Sequence, residues 1–176
     1  MASGAASLRA KPPARPAARA AVDYGALAEH LGYAVRRVQL LIFQDFVRTM
    51  GDLALRPAQY SLLTLIGRNP GLKQTRLGEA LGIKSANLVA LVDELVGRGL
   101  ARRGAAPGDR RSHALYLTAK GGELLREASA LAADHERRLT RHVGDTGKAR
   151  LLTLLRALEA GLAGGASATK ESKARS

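Results

Sequence analysis

From residue 23 onward, apolar side chains recur at steps of three and four: Leu27, Leu31, Ala34, Val35, Val38, Leu41, Ile42 and Phe46. Such steps line up on one face of a helix, so the pattern predicts a long first helix. Asp23 is suited to cap its start and Gly51 to end it. A second helix is expected from Pro57, a residue that fits a first helical turn. Its apolar positions are Leu62, Leu65 and Ile66, and Asn69-Pro70-Gly71 ends it. A short helix over about 73–81 turns Leu77 and Leu81 inward. Gly82 then makes a tight turn, and Ser85 is placed to cap a helix over 85–98 with Leu88, Leu91, Val92 and Leu95 on one face. Two helices joined by a short glycine-containing turn form the helix-turn-helix pattern.

The period then changes. Pro107-Gly108 marks a turn, and beyond it His113, Leu115 and Leu117 alternate with Ser112, Ala114 and Tyr116, as in a strand. Leu100-Ala101-Arg102-Arg103 is the candidate partner strand, which gives a β-hairpin with Asp109, Arg110 and Arg111 at its tip. Helical spacing returns after Thr118, a cap for a helix to about 142, and after Thr146, a cap for a last one to about 163. Leu151, Leu152, Leu154, Leu155, Leu158 and Leu162 give the last helix a broad apolar face. The central unit can cover only part of the apolar surface on the two terminal helices. The remainder is expected to pack against a second copy, since symmetric dimers are the commonest solution.

Charge sharpens this picture. The 176 residues carry 28 Lys and Arg against 15 Asp and Glu, a formal net charge of +13. Residues 1–22 hold Arg9, Lys11, Arg15 and Arg19 with no acid, and residues 165–176 hold a smaller excess. The body between them stays basic in its own right, which points to a polyanionic partner, nucleic acid before membrane. With no cysteine, thiolate metal sites, redox thiols and cysteine nucleophiles are excluded. Two Phe, four Tyr and no Trp disfavour stacking on single-stranded nucleic acid. No apolar stretch reaches the length of a membrane span, and the basic N-terminus lacks the apolar region of a secretory signal, so a cytoplasmic location is expected. Among His30, His113, His135 and His142, the last two share a helical face but lack companion ligands, so no metal or other cofactor is expected. No Ser/His/Asp grouping or glycine-rich phosphate loop stands out, and an enzyme is not expected.

On the exposed face of helix 85–98 the same spacing leaves Ala86, Asn87, Ala90, Asp93 and Glu94. Asn87 is either a reader of adenine through its amide or a helix-start residue. Lys84, Ser85 and the helix N-terminus are suited to phosphate. Val89 and Ala90 offer small apolar groups to thymine methyls. Arg102, Arg103 and Arg110 are further candidates for phosphate.

The run RPAQYSLLTLIGRNPGLKQTRLGEALGIKSANLVALVDELVGRGLARR, followed by DRRSHALYLTAKG, resembles the MarR family of bacterial transcriptional regulators over about residues 25–160. The resemblance implies a mainly α, α+β winged helix-turn-helix: six helices, a small β-hairpin wing, and dimerisation through helices from both termini. The organisation expected is a disordered basic arm (1–22), an N-terminal dimerisation helix (23–50) and a DNA-binding winged domain (51–118). C-terminal dimerisation helices (119–164) and a disordered tail (165–176) complete it. The resemblance puts helix 85–98 in the major groove of a palindromic double-stranded operator. It also implies that Asp109 holds Arg111 extended toward the minor groove. Val89 and Ala90 depart from the Ser and Arg of many relatives, which bears on which bases are read. Relatives bind small anionic, often aromatic, molecules between the dimer helices and the winged domain. By location, Tyr24, His30, Tyr33, Arg36, Arg37, Tyr60 and His113 are the effector candidates. The segment LGYAVRRVQLLIFQDF is similar to relatives that govern aromatic-acid breakdown, some of which sense the acyl-CoA thioester. The expectation is a homodimeric repressor released by such an effector. The rival is a sequence-indifferent protein that coats DNA, and a ligand-storing helical protein is a third reading.

Overall fold

The computed structural model describes residues 22–106 and 109–174; the side chains of 106–113 and 165–174 lie outside the described residues. The described residues fall into two compact units, the first ending at Arg36 and the second beginning at Arg37.

The first unit opens with a 3₁₀ turn, Gly25–Glu29, whose start is tied by Gly25 N–H donating to Asp23 Oδ1 at 2.9 Å. Asp23 therefore caps this turn. The long helix expected from residue 23 begins later, as α1, Leu31–Met50, because His30 takes an extended backbone at φ −76° and ψ 120° that breaks the spiral.

In the second unit α1 is followed by a 3₁₀ turn, Gly51–Leu53, and by α2, Pro57–Arg68, with proline in its first turn as expected. Gln59 Oε1 accepts from Arg56 N–H at 3.0 Å and satisfies one donor at the helix start. Then come β1 (Leu72–Lys73), α3 (Gln74–Leu81) and α4 (Ser85–Gly97). Gly82 closes α3 in the left-handed region at φ 61°, a conformation that other residues adopt only under strain. Lys84, with extended backbone, occupies the cap position of α4, so Ser85 is its first helical residue and makes no capping bond.

Strands β2 (Ala101–Ala106) and β3 (Asp109–Leu117) form the expected hairpin. The sheet has a third member, since β1 pairs antiparallel with β3, Leu72 opposite Leu115, in the order β1-β3-β2. Helix α5 spans Ala119–Arg141. Helix α6, Gly144–Ala174, starts two residues before Thr146 and runs ten past the boundary expected at 164, through a segment rich in the helix formers Ala, Lys and Glu.

The core gathers where α2, α3, α4 and the sheet meet. Met50, Leu62, Leu63, Ile66, Leu77, Val92, Leu95, Leu100 and Leu115 are all buried. Leu88, Val92 and Leu95 point inward as their spacing predicts, with Leu91 half-buried. The passage from sheet to α5 is tight. Thr118 Oγ1 accepts from Gly121 N–H at 3.0 Å as a cap and donates to the Gly99 carbonyl at 2.7 Å. Gly121 itself lies against the chain: a Cβ there would come within 1.9 Å of the Leu100 carbonyl oxygen.

Among the described residues, the terminal helices keep much of their apolar surface in the open. Leu31, Val35, Val38 and Leu41 on α1 are exposed, as are Leu151, Leu154, Leu158 and Leu162 on α6. No helix among the described residues is long and apolar enough to cross a membrane.

Candidate nucleic-acid interface

Helix α4 presents two unlike halves. Its first turn and the residue before it, Lys84, Ser85, Ala86 and Asn87, are exposed, and so are Val89 and Ala90 one turn on. The backbone N–H groups of a first helical turn have no partner within the helix, so this end attracts anions. The second half bears two acids, and both are held. Asp93 accepts from Arg103 of β2 at 2.6 Å. Glu94 accepts from Arg56 and, at 2.7 Å, from Gln59 Nε2. Arg56 foremost holds the Glu94 carboxyl below the usual carboxylate range. Acids left free here would repel a phosphate backbone; paired, they instead fasten the helix to α2 and to the hairpin. Arg98, just past the helix, donates to the carbonyls of Leu53 and Ala54, each at 2.9 Å. Lys120 Nζ donates in turn to the Arg98 carbonyl at 3.0 Å.

Arg102 and Arg103 are both phosphate candidates by sequence. Neighbours on a strand point to opposite faces, and here they have different company. Arg103 is paired with Asp93, whereas the Arg102 guanidinium lies over the Tyr116 ring, 4.6 Å from its centroid, and is exposed. The backbone places Asp109, Arg110 and Arg111 at the start of β3, at the hairpin tip, with Asp109 opposite Ala106. Their side chains lie outside the described residues, as does that of His113.

The effector candidates are brought together only in part. Within the first unit the rings of Tyr24 and Tyr33 lie 6.0 Å apart, while His30 and Arg36 are exposed. Within the second unit Arg37 is exposed, and Tyr60 packs against Phe46 with ring centroids 5.6 Å apart.

Sequence reasoning misses a buried polar group beneath α1. His135 of α5, 5% exposed, has Nδ1 at 2.8 Å from Asp45 Oδ2 and meets Phe46 edge-on at 5.5 Å. Arg138 donates to the same Asp45 oxygen at 3.0 Å and also bonds Thr49. Arg48 completes the ring of donors. These partners, Arg48 foremost and then His135 and Arg138, hold the Asp45 carboxyl far below its ordinary range. The sole sequence signal is that Gly121, Ala128 and His135 follow one another at steps of seven along the buried face of α5. Alongside lies an open groove of about 860 Å³, lined by Val38, Leu41, Ile42, Leu151, Leu152 and Leu155 with Arg141 and Lys148 at its edge.

A carboxyl whose pKa is depressed by folding contributes stability above its unfolded pKa and loses it as pH falls toward the folded value. The Asp45 contribution is thus complete at neutral pH and fades below about pH 4. Replacing Asp45 by Asn should cost about 2 kcal/mol at pH 7, the scale of hydrogen bonds to a charged group. The cost should shrink in acid. Chemical denaturation of both proteins at pH 7 and pH 3 checks this; an equal difference at both pH values would contradict it.

A family model described as MarR family matches residues 55–112. A putative transcriptional regulatory protein for the hcr operon of Thauera aromatica is 30% identical over 136 residues, which cover 77% of this chain and 82% of that protein. Two solved structures of the transcriptional repressor CouR superpose with a TM-score of 0.74 each. The one bound to a 23-mer DNA duplex is 44% identical, over 79% of this chain and 99% of the other. The one bound to p-coumaroyl-CoA is 41% identical, over 79% and 98%.

Proposed function

Since the chain belongs to the MarR family of transcriptional regulators, we propose that it is a homodimeric repressor that reads a palindromic operator and is released by a small anionic effector. The observation that carries this reading is the exposed first half of α4, with Asn87 and the free helix N-terminus on one surface and the acids of the second half paired away. In this reading Asn87 bonds an adenine edge, and Lys84 and Ser85 meet phosphate. Val89 and Ala90 lie against base methyls, and Arg102 and Arg110 meet further phosphates. Asp109 steadies Arg111 in the minor groove, where a narrow A·T tract attracts arginine.

The effector is an aromatic acid or its CoA thioester. CouR, the similar repressor, is known in a structure with p-coumaroyl-CoA. Here the Tyr24–Tyr33 pair offers flat apolar surface, and Arg36, three residues after Tyr33, brings positive charge. His30, Arg37, Tyr60 and His113 are the remaining candidates for effector contact. Two recognition helices must sit one DNA turn apart, roughly 34 Å. An effector that binds better to a differently spaced dimer draws the population off the operator.

The test uses a labelled duplex that the protein itself selects from a randomised pool. Aromatic acids, their CoA thioesters and free CoA are added in turn. One acid or thioester should displace the duplex at concentrations where free CoA does not. Retention of the duplex through the whole panel would contradict the effector reading.

A further inference from the structure

On the wing, Tyr116 does more than fill a strand position. It lies opposite Arg102 in the β2–β3 register, and the Arg102 guanidinium stacks on its ring at 4.6 Å. The ring then runs diagonally along β2. Its hydroxyl donates to the Ala105 carbonyl at 2.8 Å. Glycine at position 104 leaves the ring its room: a Cβ there would stand 3.0 Å from Tyr116 Cε2 and 3.2 Å from an Arg102 guanidinium nitrogen, so the ring and the guanidinium would have to give way by a few tenths of an ångström. The carbonyl it grips belongs to the last residue before the pairing shifts register, between Ala105 and Ala106. A bulge at that point bends the strand and re-aims the residues beyond it. On the other face of β2, Arg103 is tied to Asp93 of α4. The strand is therefore held from both sides just below the tip.

We infer that Tyr116, Gly104 and Arg102 form a latch that presents Arg102, already ordered, to a phosphate of the duplex. Tyr116 is a positioning residue for DNA binding. The inference rests on the DNA reading proposed above. Stacking uses the face of the guanidinium and leaves its N–H edges for phosphate oxygens. An arginine immobilised beforehand loses less freedom on binding.

Charge and positioning separate in the salt dependence. The probe is again a duplex that the unmutated protein selects from a random pool, titrated over a series of salt concentrations. Arg102→Ala removes one phosphate contact per subunit, so the slope of log affinity against log salt should fall by about 2 in a dimer. Tyr116→Leu keeps every charge. It should weaken binding about fivefold while leaving the slope nearly unchanged, because only the ordering of Arg102 is lost. Tyr116→Phe, which keeps the ring, should recover most of that loss. Gly104→Ala should weaken binding in the same direction as Tyr116→Leu, but less, by crowding the ring and the guanidinium. The double change Tyr116→Leu with Arg102→Ala should bind like Arg102→Ala alone. Melting curves identify any variant that simply unfolds; Arg102→Ala and Tyr116→Phe alter an exposed side chain and a single hydroxyl, and remain informative in that case. Unchanged affinity in Tyr116→Leu and Gly104→Ala, or an unchanged slope in Arg102→Ala, overturns the latch while leaving the DNA reading intact. Failure of the unmutated protein to select any duplex overturns the DNA reading itself, and the latch with it.

Discussion

Gly121→Ala should unfold the junction between the wing and α5. The added Cβ would stand 1.9 Å from the Leu100 carbonyl oxygen, with the Leu100 carbonyl carbon at 2.8 Å. Both are backbone atoms, so no side chain can swing away to make room. The same carbonyl accepts from Thr118 N–H at 3.1 Å, and Thr118 caps α5 through Gly121 N–H at 3.0 Å. Relief of the clash therefore breaks the cap or pulls Leu100, 1% exposed, out of the core. The cost should be at least about 3 kcal/mol, the upper range for overpacking a rigid site. For a chain of this length each kcal/mol lowers Tm by about 2–4 °C, so a fall of roughly 6–12 °C is expected. The next residue is the control. A Cβ on Gly122 would meet nothing within 4 Å. Within a helix, alanine is favoured over glycine by roughly 0.5–1 kcal/mol, so Gly122→Ala should match or exceed the unmutated Tm. Calorimetry on the pair decides the matter: equal melting of the two variants would show that the contact at Leu100 carries no weight.

The second large effect is on assembly. Leu154 is 59% exposed and Leu158 37% exposed on a helix whose apolar residues recur along one broad face. Contiguous apolar surface of this kind is suited to the dimer contact proposed above. In a dimer the face is buried twice, so Leu154→Asp or Leu158→Asp places two unpaired charges in the interface. An unpaired buried charge costs about 3–5 kcal/mol. Sizing chromatography with light scattering should find the unmutated protein as a dimer and either variant as monomer or aggregate. A soluble monomer before any substitution would contradict the dimer. Loss of the dimer should also abolish tight binding to a palindrome, since a single recognition helix reads one half-site.

Much of this fold is legible in the sequence because local spacing dictates it. Leu88, Val92 and Leu95 recur at three and four and are buried; Pro107-Gly108 separates two runs of strand-like residues, and β2 and β3 flank it. What escapes is what local spacing does not encode. The two residues of β1 pair with β3 more than forty positions away, and nothing in Leu72-Lys73 alone marks a strand. The start of α1 is set by the backbone of His30, a residue with no turn signature. The Asp45–His135 contact joins residues ninety apart. In the candidate interface, the outward face of α4 follows from the period. The pairing of Asp93 with Arg103, by contrast, depends on how closely the hairpin packs against the helix. Arg102 and Arg103 read alike as adjacent cations, and strand geometry sends them to opposite faces.

A protein that reads a DNA sequence differs from one that merely coats a polyanion in how its affinity responds to salt. A net charge of +13 would produce affinity for any duplex, but that part falls steeply with salt. Base contacts of the kind proposed for α4 do not depend on counterion release. The direct measurement is a titration of the unmutated protein against its selected palindrome and a scrambled duplex of equal length and composition, over a series of salt concentrations. The expected result is at least about a 10³-fold preference for the palindrome at physiological salt, persisting as salt is raised. Equal affinity for the two duplexes, declining together along one salt slope, would contradict it.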